Sequence, residues 1–143
     1  MKTRLCILFG GASSEYEVSL RSAASVLSHL HAQQYDVSTV GITRTGEWLR
    51  YYGSSAQIED GSWILDPQNT PCVLSPDTTH HGLLFLDGHV EHIDVIFPVL
   101  HGEKCEDGAM QGLLTLSGVP FVGCGVAASA NTMDKAITKV FAE

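Results

Sequence analysis

Short apolar runs alternate with amphipathic segments along this chain, and that alternation predicts an α/β fold. The first run, residues 5–9, is continuous and ends at two glycines, which is typical of a strand buried in a parallel sheet. Apolar residues then recur at helical spacing from Leu20 to Leu30, so we expect a helix that packs on the sheet. Residues 35–42 form the next predicted strand, which completes a β–α–β unit with a right-handed crossover.

The middle of the chain, residues 46–92, has a different pattern, with many Gly, Ser, Asp and Pro residues around brief apolar patches. Asp87-Gly88 separates two short apolar runs and favours a hairpin with a type I′ turn. We interpret 46–92 as an antiparallel accessory sheet with loops, inserted between core elements. The core resumes with a buried strand at 95–100. The predicted fold class is therefore α/β, a parallel Rossmann-like sheet with an antiparallel insert, in one domain that covers 1–143.

Capping patterns predict where three helices begin. Ser14 and Glu17 have the spacing of a capping box, with Ser14 as the N-cap of the first helix. Asp107 is a suitable N-cap for the helix that follows the third core strand, and Thr132 for the last helix. The last helix carries an apolar stripe but has no glycine stop. We therefore expect the chain to be truncated, with more protein after Glu143.

Composition and charge narrow the class of protein. The chain has 143 residues, of which 44% are hydrophobic and 17% charged, and this is sufficient for one domain with a core. Its net charge of -8 argues against a nucleic-acid binder, which would present a basic face. No signal peptide, no apolar stretch of about 20 residues and no CxxC pair is recognisable. We expect a cytoplasmic protein without membrane or nucleic-acid partners.

The first candidate site is the turn at 10–15, GGASSE, which follows the first predicted strand. Ligands of open α/β sheets bind at the carboxyl ends of strands, and the next helix start offers free N–H groups. The phosphate fingerprints GxGxxG and GxxxxGK[ST] are absent, and Glu15 would repel a phosphate, so a nucleotide is not favoured here. The Glu15 carboxylate suits an ammonium group, or it complements the helix dipole without any ligand.

Two further residues are candidates for binding. His101 ends the strand predicted at 95–100, where ligand-facing residues collect, although local hydrogen bonding would also explain it. Lys135 opens the last helix, either as a solvated charge or as a phosphate ligand. Glu106 is interpreted as a solvated or loop-bracing acid. The other histidines lack the spacing of metal ligands, so no metal site is predicted.

Four segments together resemble the D-alanine–D-alanine ligase family, since the sequence contains GGASSEYEVSLRSA, FPVLHG, EDGAMQGLLTLSGVP and VGCGVAASANTMDK. The resemblance covers the whole chain, with gaps only in the 46–92 insert. It implies the N-terminal, pre-ATP-grasp substrate-binding domain of an enzyme that makes the D-alanyl dipeptide for peptidoglycan. In that family ATP phosphorylates the carboxylate of one D-alanine, and the amine of a second D-alanine attacks the acylphosphate.

The resemblance also implies roles for individual residues. Glu15 is expected to contact the ammonium of the first D-alanine, directly or through a hydrogen-bonded network, and to be catalytic together with Ser19. His101 and Gly102 are expected in the same substrate-binding subsite, which Val18 and Ser19 border.

The resemblance places the nucleotide chemistry mostly outside this chain. Lys135 is expected to reach the ATP phosphates, while the Mg²⁺ ligands and the mobile loop lie beyond Glu143 in the family. The fragment alone is therefore expected to be inactive, and a homodimer is expected. One departure concerns Cys105, which stands where the family has glycine in HGxxGEDG. If that glycine needs a positive φ, cysteine would strain the loop.

Other functions remain open at this point. Ligases that make D-alanyl-D-serine or D-alanyl-D-lactate share these motifs, and GITRTGEW and EYEVSL resemble the D-serine branch. A non-catalytic small-molecule binding domain would have the same α/β core. A nucleotide-binding regulator is disfavoured because the glycine fingerprint is missing.

Overall fold

A computed structural model describes residues 1–142 and contains one mixed sheet with five α-helices. The strands are β1 Thr3–Gly10, β2 Tyr35–Ile42, β3 Trp48–Tyr51, β4 Thr70–Leu74, β5 Gly82–Phe85, β6 Val90–His92 and β7 Val95–Pro98. The helices are α1 Tyr16–His29, α2 Ser55–Glu59, α3 Ala109–Ser117, α4 Val126–Met133 and α5 Lys135–Ala142, with a 3-10 turn at Ser62–Leu65. The sheet order is β6-β5-β4-β3-β2-β1-β7.

The parallel part of the sheet is built around β1. This strand lies between β2 and β7 and runs parallel to both, with Leu5 opposite Val37 on one side and Val95 on the other. A single parallel bridge between Ile96 and Phe121 adds to the far edge. Because both faces of β1 are covered, its apolar run is continuous, and the predicted β–α–β core is confirmed.

The side chains of β1 divide the core into two layers, since successive residues of a strand point to opposite faces. Ile7 and Phe9 pack on the face that carries α1, whereas Cys6 and Leu8 pack on the face that carries α3. Both layers therefore depend on the same short apolar run.

The insert at 46–92 is antiparallel, as predicted, but it is not an accessory sheet. Its strand β3 pairs directly with β2, Trp48 opposite Ile42, so β3 to β6 continue the core sheet. The insert also seals the α1 face: Trp63 is fully buried, and a Cβ on Gly41 would lie 2.4 Å from its ring. The indole N–H of Trp63 donates to the Tyr16 hydroxyl at 2.9 Å. Sequence periodicity did not reveal this packing role.

The hairpin between β5 and β6 has a different turn from the predicted type I′. Gly88 has a φ of 86°, but Asp87 does not adopt a positive φ, which a type I′ turn requires. The Gly88 N–H donates to the Phe85 carbonyl at 3.0 Å, and Asp87 Oδ1 accepts from the His89 N–H at 3.1 Å. The aspartate side chain therefore favours a type I turn followed by a left-handed glycine.

The predicted helix starts need correction. α1 begins at Tyr16 with Glu15 as N-cap and no side-chain cap, so the Ser14 capping box is wrong. The N-cap of α3 is Gly108, although Asp107 Oδ1 does accept from the Ala109 N–H at 3.1 Å. The turn before α1 is held by a contact with another loop, from Ser13 to the His101 carbonyl, whereas the turn before α3 is held by bonds within its own loop, such as that from the Lys104 N–H to Asp107 Oδ2 at 2.7 Å.

The last helix also starts later than predicted. Thr132 lies inside α4, and Asp134 accepts from the Ala136 and Ile137 N–H groups at 2.8 and 3.2 Å instead. Val140 and Phe141 are about three-quarters exposed, at 74% and 73%. Glu143 lies outside the described residues. Among residues 1–142, no helix combines the length and apolar character needed to cross a membrane.

Candidate functional site

Two loops meet where the parallel strands β1 and β7 end. The turn at 10–15 follows β1, and the loop at 99–108 follows β7. Gly10 has a φ of 86°, and a Cβ there would lie 2.2 Å from the Ile42 carbonyl oxygen, so only glycine fits this close approach. The carboxyl ends of adjacent parallel strands are the usual place for ligands in such sheets.

Ser13 joins the two loops. Its hydroxyl donates to the carbonyl oxygen of His101 at 2.8 Å and accepts from the Glu15 N–H at 3.1 Å. Gly102 follows in the left-handed region, with a φ of 82°, and a Cβ there would lie 2.5 Å from the Ser13 oxygen. Ser13 lies in the turn 10–15 that was predicted as a site, but no role was assigned to it, because nothing in its local pattern indicates a partner 88 positions away.

Glu15, His101 and Glu106 form what we call the acid–histidine cluster. One side-chain oxygen or nitrogen from each lies within 4.8 Å of the others. Nδ1 of His101 lies 3.9 Å from Oε1 of Glu106, whose Oε2 accepts from the Gly102 N–H at 2.7 Å. The sequence interpretation of Glu106 as a loop-bracing acid therefore accounts for one of its oxygens and misses the other.

The imidazole of His101 is held from its other side. Nε2 lies 3.1 Å from the hydroxyl oxygen of Ser22 on α1. Ser22 was not among the predicted site residues, although it lies two helical turns after Glu15 and therefore on the same face of the helix. That spacing is a signal that could have identified it.

Ser19 does not face the cluster with a free hydroxyl. The residue is fully buried, and its oxygen accepts from the Gly10 N–H at 2.8 Å and donates to the Val99 carbonyl. Both partners are backbone groups at the ends of β1 and β7, so Ser19 connects the points where the two loops begin. Val18, the preceding residue, is 39% exposed on α1.

Cys105 packs beneath the site without the strain that its position suggested. Its φ is not positive; the left-handed residue of the loop is Lys104, with a φ of 66°. The thiol sulfur faces Gly11, where a Cβ would lie 2.9 Å away. Burial, with help from the nearby Asp107, Glu106 and Glu15 carboxylates, raises the pKa of Cys105 to about 11, so the thiol stays neutral.

A cavity of about 240 Å³ lies beside the cluster and is bordered by Glu106, Cys105, Gln111 and Cys124. Lys135 begins α5 and is exposed, and no hydrogen bond or ion pair described for residues 1–142 joins it to the cluster. The structure therefore brings Glu15, His101 and Gly102 together, and the phosphate-binding role of Lys135 stays a prediction.

The chemistry of the cluster is that of a cation site. Two carboxylates and an imidazole suit an ammonium group, and they repel a phosphate. The same donor atoms are also those of a divalent-metal site, but Glu15 and Glu106 are both exposed, and exposed acidic groups are common without a metal. The expectation of no bound metal here stays a prediction.

Known proteins provide an independent comparison. The family described as D-ala D-ala ligase N-terminus matches residues 4–124. The D-alanine–D-alanine ligase of Ruminiclostridium cellulolyticum is 47% identical over 152 residues, which cover 99% of this chain and 40% of that protein. The vancomycin/teicoplanin A-type resistance protein VanA of Enterococcus faecium is 39% identical, with 99% and 40% covered.

Solved structures give the same result. The VanG D-Ala:D-Ser ligase of Enterococcus faecalis superposes with a TM-score of 0.91 and 40% identity, over 96% of this chain and 40% of that one. The Coxiella burnetii D-alanine–D-alanine ligase superposes with a TM-score of 0.85 and 32% identity, over 97% and 41%. The chain thus spans about 40% of the length of these relatives. With a family match over residues 4–124, this chain belongs to the D-alanine–D-alanine ligase family and corresponds to its N-terminal domain.

Proposed function

We propose that this chain is the first-substrate-binding domain of an ATP-dependent D-alanine–D-alanine ligase that makes the D-alanyl dipeptide for peptidoglycan. ATP phosphorylates the carboxylate of one D-alanine, and the amine of a second displaces phosphate to form the peptide bond. The observation that carries the proposal is the acid–histidine cluster at the ends of β1 and β7, whose atoms lie within 4.8 Å of one another. It lies in the N-terminal domain of a ligase family.

Each residue of the site has a distinct part in this proposal. Glu15 binds the ammonium of the first D-alanine through a charge-assisted hydrogen bond, and Glu106 adds a second negative charge beside it. His101 lines the same subsite, and Gly102 lets the loop pass close to Ser13. Ser19 acts as a positioning residue, because its hydroxyl is committed to backbone groups.

The start of α1 contributes electrostatically. Free N–H groups at the first turn of a helix favour negative charge, here the substrate carboxylate as it becomes an acylphosphate. Val18, partly exposed on the same helix, borders the substrate. The site thus has negative groups for the ammonium and a positive dipole end for the carboxylate.

The nucleotide belongs to other parts of the protein. The acid–histidine cluster does not fit ATP, since carboxylates and phosphates repel each other. The exposed ammonium of Lys135 has the charge to contact ATP phosphates, which supply the phosphoryl group when bound. Mg²⁺ would be held by residues beyond this chain. We further propose that the protein is a cytoplasmic homodimer. We also propose that the 143-residue chain has no ligase activity by itself.

The decisive test compares two glutamates of one helix start in the full-length protein. Glu15→Gln removes the charge facing the ammonium, and the KM for the first D-alanine is expected to rise about 10- to 100-fold. Glu17→Gln is the matched control, because Glu17 is 61% exposed and pairs with Arg44 instead. The rate of ADP release at a series of D-alanine concentrations gives the KM of each variant. Equal effects of the two changes would remove the support for Glu15 as the ammonium ligand.

The isolated chain tests whether catalysis needs the other domains of the ligase. Residues 1–143 are expected to release no ADP from ATP in the presence of D-alanine, and turnover by the fragment would contradict this. If the full-length protein binds D-alanine but releases no ADP either, the chain is a non-catalytic binding domain.

A second candidate function concerns the amino-acid acceptor. The 0.91 TM-score and 40% identity to VanG favour D-alanyl-D-serine synthesis as the alternative. Competition between D-alanine, D-serine and D-lactate, with the products identified by mass spectrometry, separates the three ligases. A predominant D-alanyl-D-serine or D-alanyl-D-lactate product would replace the main proposal for the acceptor, but not for the first subsite.

A further inference from the structure

The side chain of Ser22 touches the site only through His101. Its oxygen lies 3.1 Å from Nε2 of that imidazole, and within residues 1–142 no other side-chain hydrogen bond of Ser22 is described. Ser22 lies within α1, so its position is set by the helix rather than by the loop that carries His101. The contact therefore connects a rigid element to a loop residue 79 positions away.

The two ring nitrogens of the imidazole have different electrostatic surroundings. Nδ1 lies 3.9 Å from Oε1 of Glu106, and the Glu15 carboxylate completes the same cluster. Ionised carboxylates only accept hydrogen bonds, so a hydrogen on Nδ1 is attracted to both of them. On the opposite side, the Ser22 hydroxyl lies within hydrogen-bond distance of Nε2, and a serine hydroxyl can donate or accept. When the imidazole hydrogen is on Nδ1, Ser22 donates to Nε2.

We propose that Ser22 and Glu106 together hold neutral His101 in the Nδ1–H tautomer, with Ser22 as a positioning residue. In a neutral imidazole one nitrogen donates and the other accepts, and the bond made by one nitrogen decides the state of the other. The imidazole then presents a hydrogen-bond donor to a site whose other groups are acceptors.

This arrangement accounts for recognition of both ends of a zwitterionic amino acid, and in this respect it rests on the proposed function. The carboxylates of the cluster accept from the ammonium. Nδ1 of His101 lies 3.9 Å from Glu106, too far for a hydrogen bond, so its hydrogen is available to donate to a carboxylate oxygen of the same molecule. The opposite tautomer would present only acceptors and would repel the carboxylate end. Ser22 thereby affects substrate affinity without touching the substrate.

The first measurement is spectroscopic and needs no substrate. Nitrogen-15 histidine-labelled full-length protein, held at a pH where imidazoles are neutral, reports the tautomer through the ring nitrogen shifts. His101→Gln identifies the signal. The wild type is expected to be mainly Nδ1–H; Ser22→Ala is expected to raise the Nε2–H fraction, and Ser22→Thr to restore the original ratio. Ser25→Ala is the control, because Ser25 is exposed on the same helix.

The second measurement is kinetic. Loss of one hydrogen bond to the imidazole is expected to raise the KM for the first D-alanine about three- to tenfold in Ser22→Ala, with a smaller change in kcat. Ser22→Thr keeps the hydroxyl and is expected to keep the wild-type KM, whereas a variant damaged in its fold would not be rescued selectively.

The outcomes separate this inference from the proposed function. A wild-type signal of the Nε2–H type, or an unchanged tautomer ratio in Ser22→Ala, overturns the role of Ser22. A normal KM in Ser22→Ala despite a shifted tautomer overturns the link to affinity. If the protein releases no ADP with D-alanine at all, the proposed function fails, and the spectroscopic result still decides the tautomer.

Discussion

The hydroxyl of Ser13 donates to the carbonyl oxygen of His101 at 2.8 Å, across 88 positions of sequence. This bond joins the turn after β1 to the loop after β7, and it places the backbone of one candidate residue beside the helix start that carries another, Glu15. The geometry of the cluster therefore depends on backbone contacts as much as on its three side chains.

The close approach at Gly102 predicts a specific loss on substitution. Gly102 has a φ of 82°, which strains any residue other than glycine, and the Cβ of an alanine there would lie 2.5 Å from the Ser13 oxygen. We therefore expect Gly102→Ala to lower the free energy of unfolding by about 1–3 kcal/mol. Gly46→Ala is the control, since Gly46 has a similar φ of 93° but nothing within 4 Å of a Cβ. Urea denaturation measures both, and equal losses would show that the contact with Ser13 is unimportant.

Ser19 is predicted to matter for stability. Ser19→Ala leaves the Gly10 N–H and the Val99 carbonyl buried without their partner, which we expect to cost about 1–3 kcal/mol of unfolding free energy. Ser25→Ala on the exposed side of α1 is expected to stay within about 0.5 kcal/mol of the wild type. If Ser19→Ala is as stable as this control, the bridge between β1 and β7 does not stabilise the fold.

The ion pair between Arg4 and Asp94 predicts that the folded protein loses part of its stability at acidic pH. Hydrogen bonds from the Arg4 side chain, at 3.1 and 2.6 Å, and from its backbone N–H lower the pKa of Asp94 to about 2. A carboxyl group whose pKa is lower in the folded state stabilises the protein above its unfolded pKa of about 3.9. That contribution is lost as the pH falls from about 4 towards about 2.

Two variants test this pH dependence. Asp94→Asn is expected to flatten the stability curve in that acidic window, as measured by denaturation at a series of pH values. Arg4→Met is expected to raise the pKa of Asp94 only partly, because the backbone N–H of residue 4 still donates to Oδ2 at 2.8 Å. An Asp94 pKa that stays near 2 in Arg4→Met, when followed by NMR titration, would mean that the guanidinium is not the main cause.

The cysteines are predicted to differ sharply in reactivity. Burial raises the pKa of Cys72 and Cys105 to about 11 and that of Cys6 still further, whereas Cys124 is exposed. Because the thiolate is the reactive form and must be accessible, a thiol reagent at neutral pH is expected to label only Cys124 rapidly in the 143-residue chain. Cys124→Ala should abolish that fast phase, and urea should expose the other three. A second fast thiol in the folded chain would contradict the burial of one of them.

Much of the core could be predicted from local pattern. The run at 5–9 indicated a strand covered on both faces, and β1 is buried over residues 5–10, because a parallel strand at the centre of such a sheet is covered on both faces. The glycines at 10 and 11 marked the end of that strand correctly. Helix boundaries were less predictable: Ser14 and Thr132 have the right chemistry for caps, but other residues occupy those positions.

The errors have a common physical origin. Ser13 is engaged by the His101 carbonyl, and this contact shapes the turn that precedes α1. The insert joined the core sheet because β2 has a free edge that β3 can pair with, and strand pairing is not encoded in the periodicity of either strand. Ser22 was missed for the same reason, since its partner His101 lies on a loop 79 positions away. Glu106 contacts His101 and Gly102 within its own loop, and the fold of that loop is what brings them together.

The sequence by itself determined the α/β class, the family, and the candidates Glu15, His101 and Gly102 at strand ends, because hydrophobic periodicity and motif spacing are local properties. Only the tertiary structure decided that Ser19 bridges two strand ends, that Cys105 needs no positive φ, and that Ser22 reaches the imidazole. Those facts depend on distances between loops brought together by the pairing of β1 with β7, and such distances exist only after the sheet has formed.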